Sequence, residues 1–247
     1  VEQKWLPVWE RLEPFRAELP PRVWSLIEPA ARANINLTID AEESDRLEIS
    51  LDVMEALAGR IATEFPQWYG FGLAVQSYLT TGLAVVDEVA AMAHRHGLKF
   101  MVRLVKGAYW DGEIKRAQEA GLPGYPVFTH KQHTDLSYLA CARALIGHHD
   151  VIYPQFATHN AGTIAAILQM AREQGAEFEF QRLHGMSEGI YREVSRSIRA
   201  GELTSTPPAP PAQAGGLSPV PVRVYAPVGL HRDLLAYLVR RLLENGA

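Results

Sequence analysis

Six short apolar runs, rich in β-branched and aromatic residues, recur along the chain with helical patterns between them. The runs are almost continuously apolar, which is typical of strands that helices cover on both faces. Strand alternating with helix predicts an α/β fold with a parallel sheet, either open or closed into a barrel. The predicted strands are Ile35–Ile39, Gly72–Ser77, Lys99–Val105, Val151–Ala157, Glu177–Leu183 and Val222–Val228.

Apolar residues at helical spacing predict the segments that connect these strands. Trp5, Trp9, Leu12 and Phe15 share one helical face and predict a leading helix. The stretch 204–221 is rich in proline, which excludes helix and central strand, so we expect an extended, solvated insertion. A ligand for a proline-binding module is the less favoured interpretation. The other predicted helices are Glu42–Glu64, Thr81–Gly97, Thr134–His148, Gly162–Gln174 and Arg232–Asn245.

Polar side chains end nearly every predicted strand. Convergence from many strands is how a (β/α)8 barrel builds its site, whereas an open sheet concentrates such groups at one switch point. The sequence therefore favours a barrel, although only six of about eight strands are found. The polar strand-end residues are Asp40, Glu42, Gln76, Arg103, Lys106, Thr158, His159, Asn160, Gln181, His184 and Tyr225.

Composition excludes several classes of function. The 24 Lys and Arg residues against 28 Asp and Glu residues give a net charge of −4, which offers no basic surface for nucleic acid. No apolar run approaches the about 18 residues of a membrane span. The single cysteine, Cys141, excludes an internal disulfide and favours a reducing compartment. Because the chain begins at Val1 within an amphipathic pattern, we expect it to be part of a longer protein.

The segment 103–115, RLVKGAYWDGEIK, holds the densest group of candidate functional residues. Arg103 lies inside an apolar strand, where an unpaired cation is costly, and a bound anion or electron-rich ring would compensate it. Gly107 and Ala108 allow a ligand or backbone to approach closely. The alternative is an ordinary strand–helix loop with an aromatic wedge and solvated charges.

Three further groups of residues each allow two interpretations. Residues 158–160 either bind a polar ligand or are loop residues whose hydrogen bonds are satisfied locally. The acids at 40–43 face the barrel mouth or form a helix cap with a capping-box glutamate. Arg240 and Arg241 either bind a carboxylate from a helix that lies over the barrel mouth, or lie near the end of a solvated helix. No metal site is expected, because no histidine has zinc spacing to Cys or acidic partners.

Seven segments, in order, resemble one family. They are RLVKGAYWD, GYPVFTHK, SYLACA, YPQFATHN, FEFQRLHGM, VYAPVG and LLAYLVRRLLENGA. Over about residues 35–247 the chain resembles the proline dehydrogenase domain of bacterial bifunctional proline utilization A flavoenzymes. The resemblance implies a distorted (β/α)8 TIM-type barrel whose last helix lies over the barrel mouth. Residues 1–247 would then be a partial barrel domain with an insertion at 204–221.

The resemblance also implies an activity. FAD would oxidise L-proline to Δ1-pyrroline-5-carboxylate by hydride transfer from C5 to flavin N5, and a membrane quinone would take the electrons. It further implies an aldehyde dehydrogenase domain elsewhere in the full-length protein. The implied location is cytoplasmic, with peripheral contact at the inner membrane face through that protein.

Individual roles follow from the same resemblance. Asp40 and Arg103 are implied to be catalytic. The proline pocket is implied to consist of Tyr109, Leu183, Tyr225, Tyr237, Arg240 and Arg241, with the arginine pair on the carboxylate. FAD is implied to contact Ala41, Gln76, Arg103, Val105, Lys106, Gly107, Ala108, Trp110, Thr129, His130, Lys131, Thr158, His159, Asn160, Gln181, Leu183, Glu244, Asn245, Gly246 and Ala247.

Two departures from the family pattern leave an alternative open. The family's first two strands, which carry a glutamate and a lysine near the substrate, have no counterpart in this sequence, and the Pro-rich insertion replaces a short connection. The alternative is a catalytically incomplete barrel that serves as a ligand-binding or docking module. Arg103, Arg240 and Arg241 argue against it, because a docking module needs no carboxylate clamp. A Schiff-base barrel enzyme would depend on Lys106, whose neighbours fit a flavin better.

Overall fold

The computed structural model of the chain describes residues 6–199, 220–232, 234–235 and 237–239. Its strands are β1 (Leu37–Ile39), β2 (Phe71–Gln76), β3 (Phe100–Val105), β4 (Ile152–Ala157), β5 (Glu179–Leu183) and β6 (Val222–Tyr225). Its helices are α1 (Leu6–Arg32), α2 (Leu47–Glu64), α3 (Gly82–His96), α4 (Trp110–Glu119), α5 (Lys131–Gly147), α6 (Ala161–Gln174) and α7 (Glu188–Arg199). A short 3-10 helix, Ser44–Arg46, precedes α2, and residues 231–232, 234–235 and 237–239 are helical.

The six strands pair in parallel in the order β1-β2-β3-β4-β5-β6, so each strand's neighbours in sequence are its neighbours in the sheet. A doubly wound sheet reverses its strand order at a switch point, and this sheet has no such reversal. The strands therefore form a half-barrel, which confirms the α/β class and the barrel-type arrangement. Each of the six predicted strands corresponds to one observed strand.

The sheet presents a different chemistry on each face. On β3, Phe100, Val102 and Leu104 are fully buried beneath the helices, while Met101 and Arg103 alternate with them on the inner face. Alternation follows from strand geometry, since successive side chains point to opposite sides. The helices thus supply the core on the outside, and the inner face is left available for polar groups.

Two helices, α4 and α7, were not predicted. In α4 only Glu113 and Ala117 are buried, so the helix lacks the apolar stripe that reveals most helices in a sequence. In α7, Tyr191 and Val194 are buried at helical spacing, but polar residues surround them. Both helices depend on tertiary contacts more than on a visible pattern.

The beginning of α2 was also predicted wrongly. The helix begins at Leu47, five residues after Glu42, and Glu43 makes no side-chain capping hydrogen bond. The capping-box interpretation of residues 40–43 is therefore wrong. These residues form a loop instead. The Glu42 carbonyl accepts a hydrogen bond of 2.7 Å from Gln76 Nε2, a side chain distant in sequence.

Several predictions fall outside the described residues. They concern the leading-helix residue Trp5, most of the Pro-rich insertion, and the C-terminal residues Arg240, Arg241, Glu244, Asn245, Gly246 and Ala247. Within the part of the chain that the structure describes, no helix has both the length and the apolar character to cross a membrane.

Phe156→Ala tests the outer core. The ring is fully buried on β4 and contacts Phe178 edge to face at 5.5 Å between ring centroids. We expect its removal to lower the free energy of unfolding by about 3–5 kcal/mol, through lost burial and the remaining cavity. Urea unfolding followed by circular dichroism measures the change. The control, Leu136→Ala on α5, removes a side chain that is 69% exposed and should cost little. Equal losses in the two variants would contradict this account of the core.

Candidate active site

A small cavity of about 70 Å³ lies at the carboxyl ends of the strands. All of its lining residues belong to the predicted site, and they come from four different strands or their following loops and from the last described helix. This helix reaches the cavity through Tyr237, as expected for a helix over the barrel mouth. The lining residues are Asp40, Ala41, Gln76, Arg103, Val105, Ala108, Tyr225 and Tyr237.

Arg103 and Asp40 form an ion pair at this cavity. Arg103 Nη2 donates to Asp40 Oδ1, and the side chains are 20% and 67% exposed. The predicted compensation of the Arg103 charge by a bound anion or ring is thus partly supplied by the protein itself. Because the carboxylate is largely solvated, water screens it, and the guanidinium keeps part of its electrostatic influence on the cavity.

Gln76 connects two loops beneath the same cavity. Its Nε2 donates to the Glu42 carbonyl at 2.7 Å, and its Oε1 accepts from the Ala108 amide at 3.2 Å. The Gln76 side chain itself is buried, and both hydrogen bonds are partly shielded from bulk water. Gln76 therefore fixes the loop after β1 against the loop after β3.

Gly107 is required by a neighbouring aromatic ring. Its φ of +150° lies in a region that glycine adopts more readily than other residues. A Cβ at this position would lie 2.4 Å from the Tyr78 ring. The predicted close approach at Gly107 is therefore present, and the group that approaches is the side chain of Tyr78.

A second and larger cavity, of about 860 Å³, lies beside α4. Trp110 Nε1 donates a hydrogen bond of 2.9 Å to the Phe128 carbonyl. This bond fixes the indole ring, although 42% of the residue is exposed. A ring that is fixed at its edge and open on its face can stack on a flat ligand. The predicted residues that line this cavity are Lys106, Gly107, Ala108, Tyr109, Trp110, Thr129 and Lys131.

Asp135 links Lys106 and Lys131, two of the three lysines that line this cavity. It accepts from Lys106 Nζ at 2.5 Å and from Lys131 Nζ at 3.1 Å. Although partial burial by itself raises the pKa of Asp135, the two lysines lower it below its ordinary value. Two cations share one carboxylate, so the cluster has one positive charge left for an anionic ligand. Sequence analysis missed Asp135, whose only signal is its position four residues after Lys131.

A buried polar cluster occupies the inner face of β4 to β6. Glu179, only 2% exposed, accepts from Gln155 Nε2 at 2.9 Å and from Gln181 Nε2 at 2.8 Å. Arg223 binds it with two hydrogen bonds of 2.7 and 2.9 Å. The hydrogen bonds with Glu179 raise the pKa of Arg223. Leu183, also predicted, is buried further along β5 in register with Tyr225.

Of this cluster, only Gln181 was among the predicted site residues. Glu179, Gln155 and Arg223 were missed, although polar and apolar residues alternate from Glu177 to Gln181 (EFEFQ) in the β5 region. That alternation indicates a strand with one polar face. It does not reveal that the polar face is buried.

Residues 158–160 take part in local hydrogen bonds. The Asn160 side chain accepts from the Thr163 amide at 3.0 Å and caps α6, and Thr158 Oγ1 accepts from the Asn160 amide at 3.2 Å. His159 is half-buried beside them, and the exposed His130 precedes α5 as its N-cap residue. These four residues line neither cavity. In the described ranges no group of three or more His, Cys, Asp or Glu side chains could hold a metal ion.

Comparison with known proteins identifies related chains. The family model described as Proline dehydrogenase matches residues 2–247. Bifunctional protein PutA of Escherichia coli (strain K12) is 50% identical over 232 residues, which is 93% of this chain and 16% of that protein.

The fold of the chain is also similar to solved structures of PutA proteins. A structure of proline utilization A with proline bound in remote sites has a TM-score of 0.81 and 51% identity, and covers 96% of this chain and 22% of that one. PutA from Bdellovibrio bacteriovorus inactivated by N-propargylglycine has a TM-score of 0.78 and 33% identity, with 94% and 22% covered. This chain spans less than a quarter of the length of each of these relatives.

Asp135→Asn tests the lysine cluster through pH. The pKa of Asp135 is lowered in the folded protein, so its ionised form stabilises the fold. That stabilisation is complete above the unfolded pKa of about 3.9 and is lost as pH falls through the lower folded pKa. Urea unfolding from neutral pH down to below the folded pKa measures this effect. The free energy of unfolding should be higher for wild type than for the variant at neutral pH, and the difference should shrink in acid. A pH-independent difference would contradict the ionic role.

Proposed function

Since the chain belongs to the proline dehydrogenase family, we propose that it binds FAD and oxidises L-proline to Δ1-pyrroline-5-carboxylate. The observation that carries this proposal is the cavity of about 70 Å³ at the strand ends, whose lining residues were all predicted for that chemistry. Arg103 and Asp40 supply charge there, and Tyr225 and Tyr237 supply aromatic walls.

The larger cavity has the properties that FAD requires. Its volume of about 860 Å³ lies within the range of about 300–1,000 Å³ that is usual for ligand sites. Lys106 and Lys131 provide the unbalanced positive charge for a pyrophosphate, and Trp110 offers a ring face. We propose that these residues hold FAD, together with Gln76 and Arg103 at the adjoining mouth. Residues 41, 105, 107–108, 129–130, 158–160, 181, 183 and 244–247 complete the proposed contact set.

The proposed reaction removes a hydride from proline C5 and a proton from its nitrogen as the C5=N bond forms. When bound, FAD would be the oxidant and would take the hydride at N5. Arg103 stabilises the negative charge that arrives with the hydride, because a fixed cation costs no reorganisation during the reaction. Asp40 holds that guanidinium in place through their ion pair.

The substrate needs an anchor and a dry pocket. We propose that Arg240 and Arg241 bind its carboxylate, since a guanidinium forms paired, charge-assisted hydrogen bonds with carboxylates. Tyr109, Leu183, Tyr225 and Tyr237 form the proposed walls, which exclude water from the hydride path. The amine proton passes to solvent, which needs no dedicated base.

Partners beyond proline also belong to this proposal. The electrons pass to a membrane quinone, and the chain acts beside an aldehyde dehydrogenase domain in a cytoplasmic protein that contacts the membrane peripherally. The word "bifunctional" in the name of the Escherichia coli relative, and the 16% of that protein that the chain spans, support a second activity elsewhere.

The decisive experiment is a visible spectrum of the purified protein loaded with FAD, recorded before and after anaerobic addition of L-proline. We expect an oxidised flavin spectrum that bleaches with proline. Arg241→Met should retain the flavin but require far more proline, because the carboxylate loses its partner. Bound flavin that does not bleach in wild type would favour a ligand-binding or docking module. Absence of bound flavin would overturn the FAD assignment.

Arg103→Met tests the charge at the mouth. We expect the flavin midpoint potential to fall, and the rate of flavin reduction by proline to fall about 10²–10³-fold, the usual effect of removing one fixed stabiliser of developing charge. Anaerobic stopped-flow absorbance and a redox titration measure the two effects. The control is Arg95→Met, which breaks ion pairs with Glu55 and Glu88 on the outer helices. An unchanged potential in Arg103→Met would exclude the proposed role.

A further inference from the structure

Glu113 is a buried carboxylate near the beginning of α4. Only 3% of the residue is exposed. Its Oε1 accepts a hydrogen bond from the Ser44 amide, and its Oε2 accepts one from the Ser44 hydroxyl. The donor–acceptor distance is 2.6 Å in both. The nearest cation is Arg116, whose Nη2 lies 3.8 Å from Oε1. A buried carboxylate is costly unless it is well hydrogen-bonded, so the two short bonds to Ser44 are the main compensation that the structure gives it.

Through Ser44, Glu113 holds the loop that carries Asp40. This loop, residues 40–46, lies between β1 and α2. Side chains of β3, β2 and α4 hold it through three hydrogen-bonded contacts, besides ion pairs of Arg116 with Glu43 and Asp45 at 3.6 and 3.7 Å. Asp40 meets Arg103, the Glu42 carbonyl meets Gln76, and Ser44 meets Glu113. Arg103 and Glu113 belong to the same β3–α4 unit, so one unit holds both ends of the loop.

The three contacts differ in their exposure to water. Asp40 is 67% exposed, and an ion pair with a solvated partner is weak because water screens the charges and the side chains lose freedom. The Gln76 and Glu113 contacts are made by buried side chains, where hydrogen bonds are stronger. The buried contacts therefore decide where the loop lies, and the Asp40–Arg103 pair follows from that position.

We propose that Glu113 is a positioning residue that keeps Asp40 against Arg103 by holding Ser44. The effect of Glu113 on catalysis rests on the proposed oxidation of proline, whereas its effect on the loop does not. Glu113 touches neither of the two residues that it positions, and it acts through the backbone of the loop.

Hydrogen–deuterium exchange tests the loop contact in the protein without added FAD. In Glu113→Ala, the amides of residues 40–46 should exchange about 10- to 100-fold faster, the expected effect of losing a charge-assisted hydrogen bond. Glu113→Gln should restore most of the protection, because its oxygen still accepts from the Ser44 amide and its NH2 can donate to the hydroxyl. Gln118→Ala is the matched control, since it removes an exposed α4 side chain that hydrogen-bonds to Tyr125 and, among the described residues, makes no hydrogen bond or ion pair with the loop 40–46. Unchanged exchange in a folded Glu113→Ala would overturn the proposal.

Ser44→Ala tests the same contact with less risk to α4. It removes the hydroxyl donor and keeps the amide, so exchange in the loop should rise by less than in Glu113→Ala but in the same direction. If Glu113→Ala does not fold, this variant and Glu113→Gln decide the question. Wild-type exchange in both would then overturn the proposal.

Flavin reduction by proline tests whether Glu113 acts through Asp40. In the FAD-loaded protein, Glu113→Ala should slow flavin reduction, but in the Asp40→Ala background the same change should have no further effect. Effects that multiply would show that Glu113 acts by another route and would overturn the positioning role. If proline fails to reduce the wild-type flavin, the proposed function fails, and the exchange experiment still decides the loop contact.

Discussion

The organisation of the protein depends on one geometric constraint: successive side chains of each strand point to opposite faces of a single parallel sheet. Helices cover one face, so residues such as Phe100, Phe156 and Phe180 can be fully buried there without regard to the chemistry opposite them. The other face turns inward, where Arg103, Gln155 and Glu179 lie in register across neighbouring strands. Because all the strands run in the same direction, their carboxyl ends and the polar residues that follow meet at one edge.

This constraint also explains how much the sequence could predict. The strands were found because a strand beneath helices must be apolar. The mouth residues Asp40, Gln76, Arg103 and Tyr225 were found because polar groups at strand ends have few structural reasons to be there, whereas most of the other mouth residues were predicted only from the family resemblance. Glu113, Asp135 and Glu179 were missed because the role of each is defined by a partner distant in sequence or on a neighbouring strand. The helix α4 was missed for the same reason, since its buried face includes a carboxylate whose partner, Ser44, lies 69 residues earlier. A hydrophobic pattern cannot show such a pair.

The buried polar residues also explain why a site built on loops has a defined geometry. Gln76 and Glu113 each satisfy backbone groups of the loop after β1, and Gln76 also binds the loop after β3. Replacing either by an apolar residue would leave partly buried backbone donors or acceptors without these partners, which costs more than the hydrogen bond itself gains. The loops thus stay in place because moving them would break these hydrogen bonds at a cost in free energy. The more exposed charges at the mouth depend on the loops for their positions.

The charges inside the half-barrel differ in how completely they are balanced. Arg223 is matched by Glu179 through two hydrogen bonds, and Arg103 is matched by a carboxylate that is largely in water. Lys106 and Lys131 share Asp135, so that cluster alone among the three carries an excess of positive charge. An anionic ligand therefore gains most near the lysines, where it completes an unbalanced cluster. In the proposed reaction the gain at Arg103 comes from developing charge, because a cation already oriented by its own carboxylate responds without rearrangement. The distribution of carboxylates thus supports the proposal that an anionic ligand binds at the lysines and that the reaction takes place at Arg103.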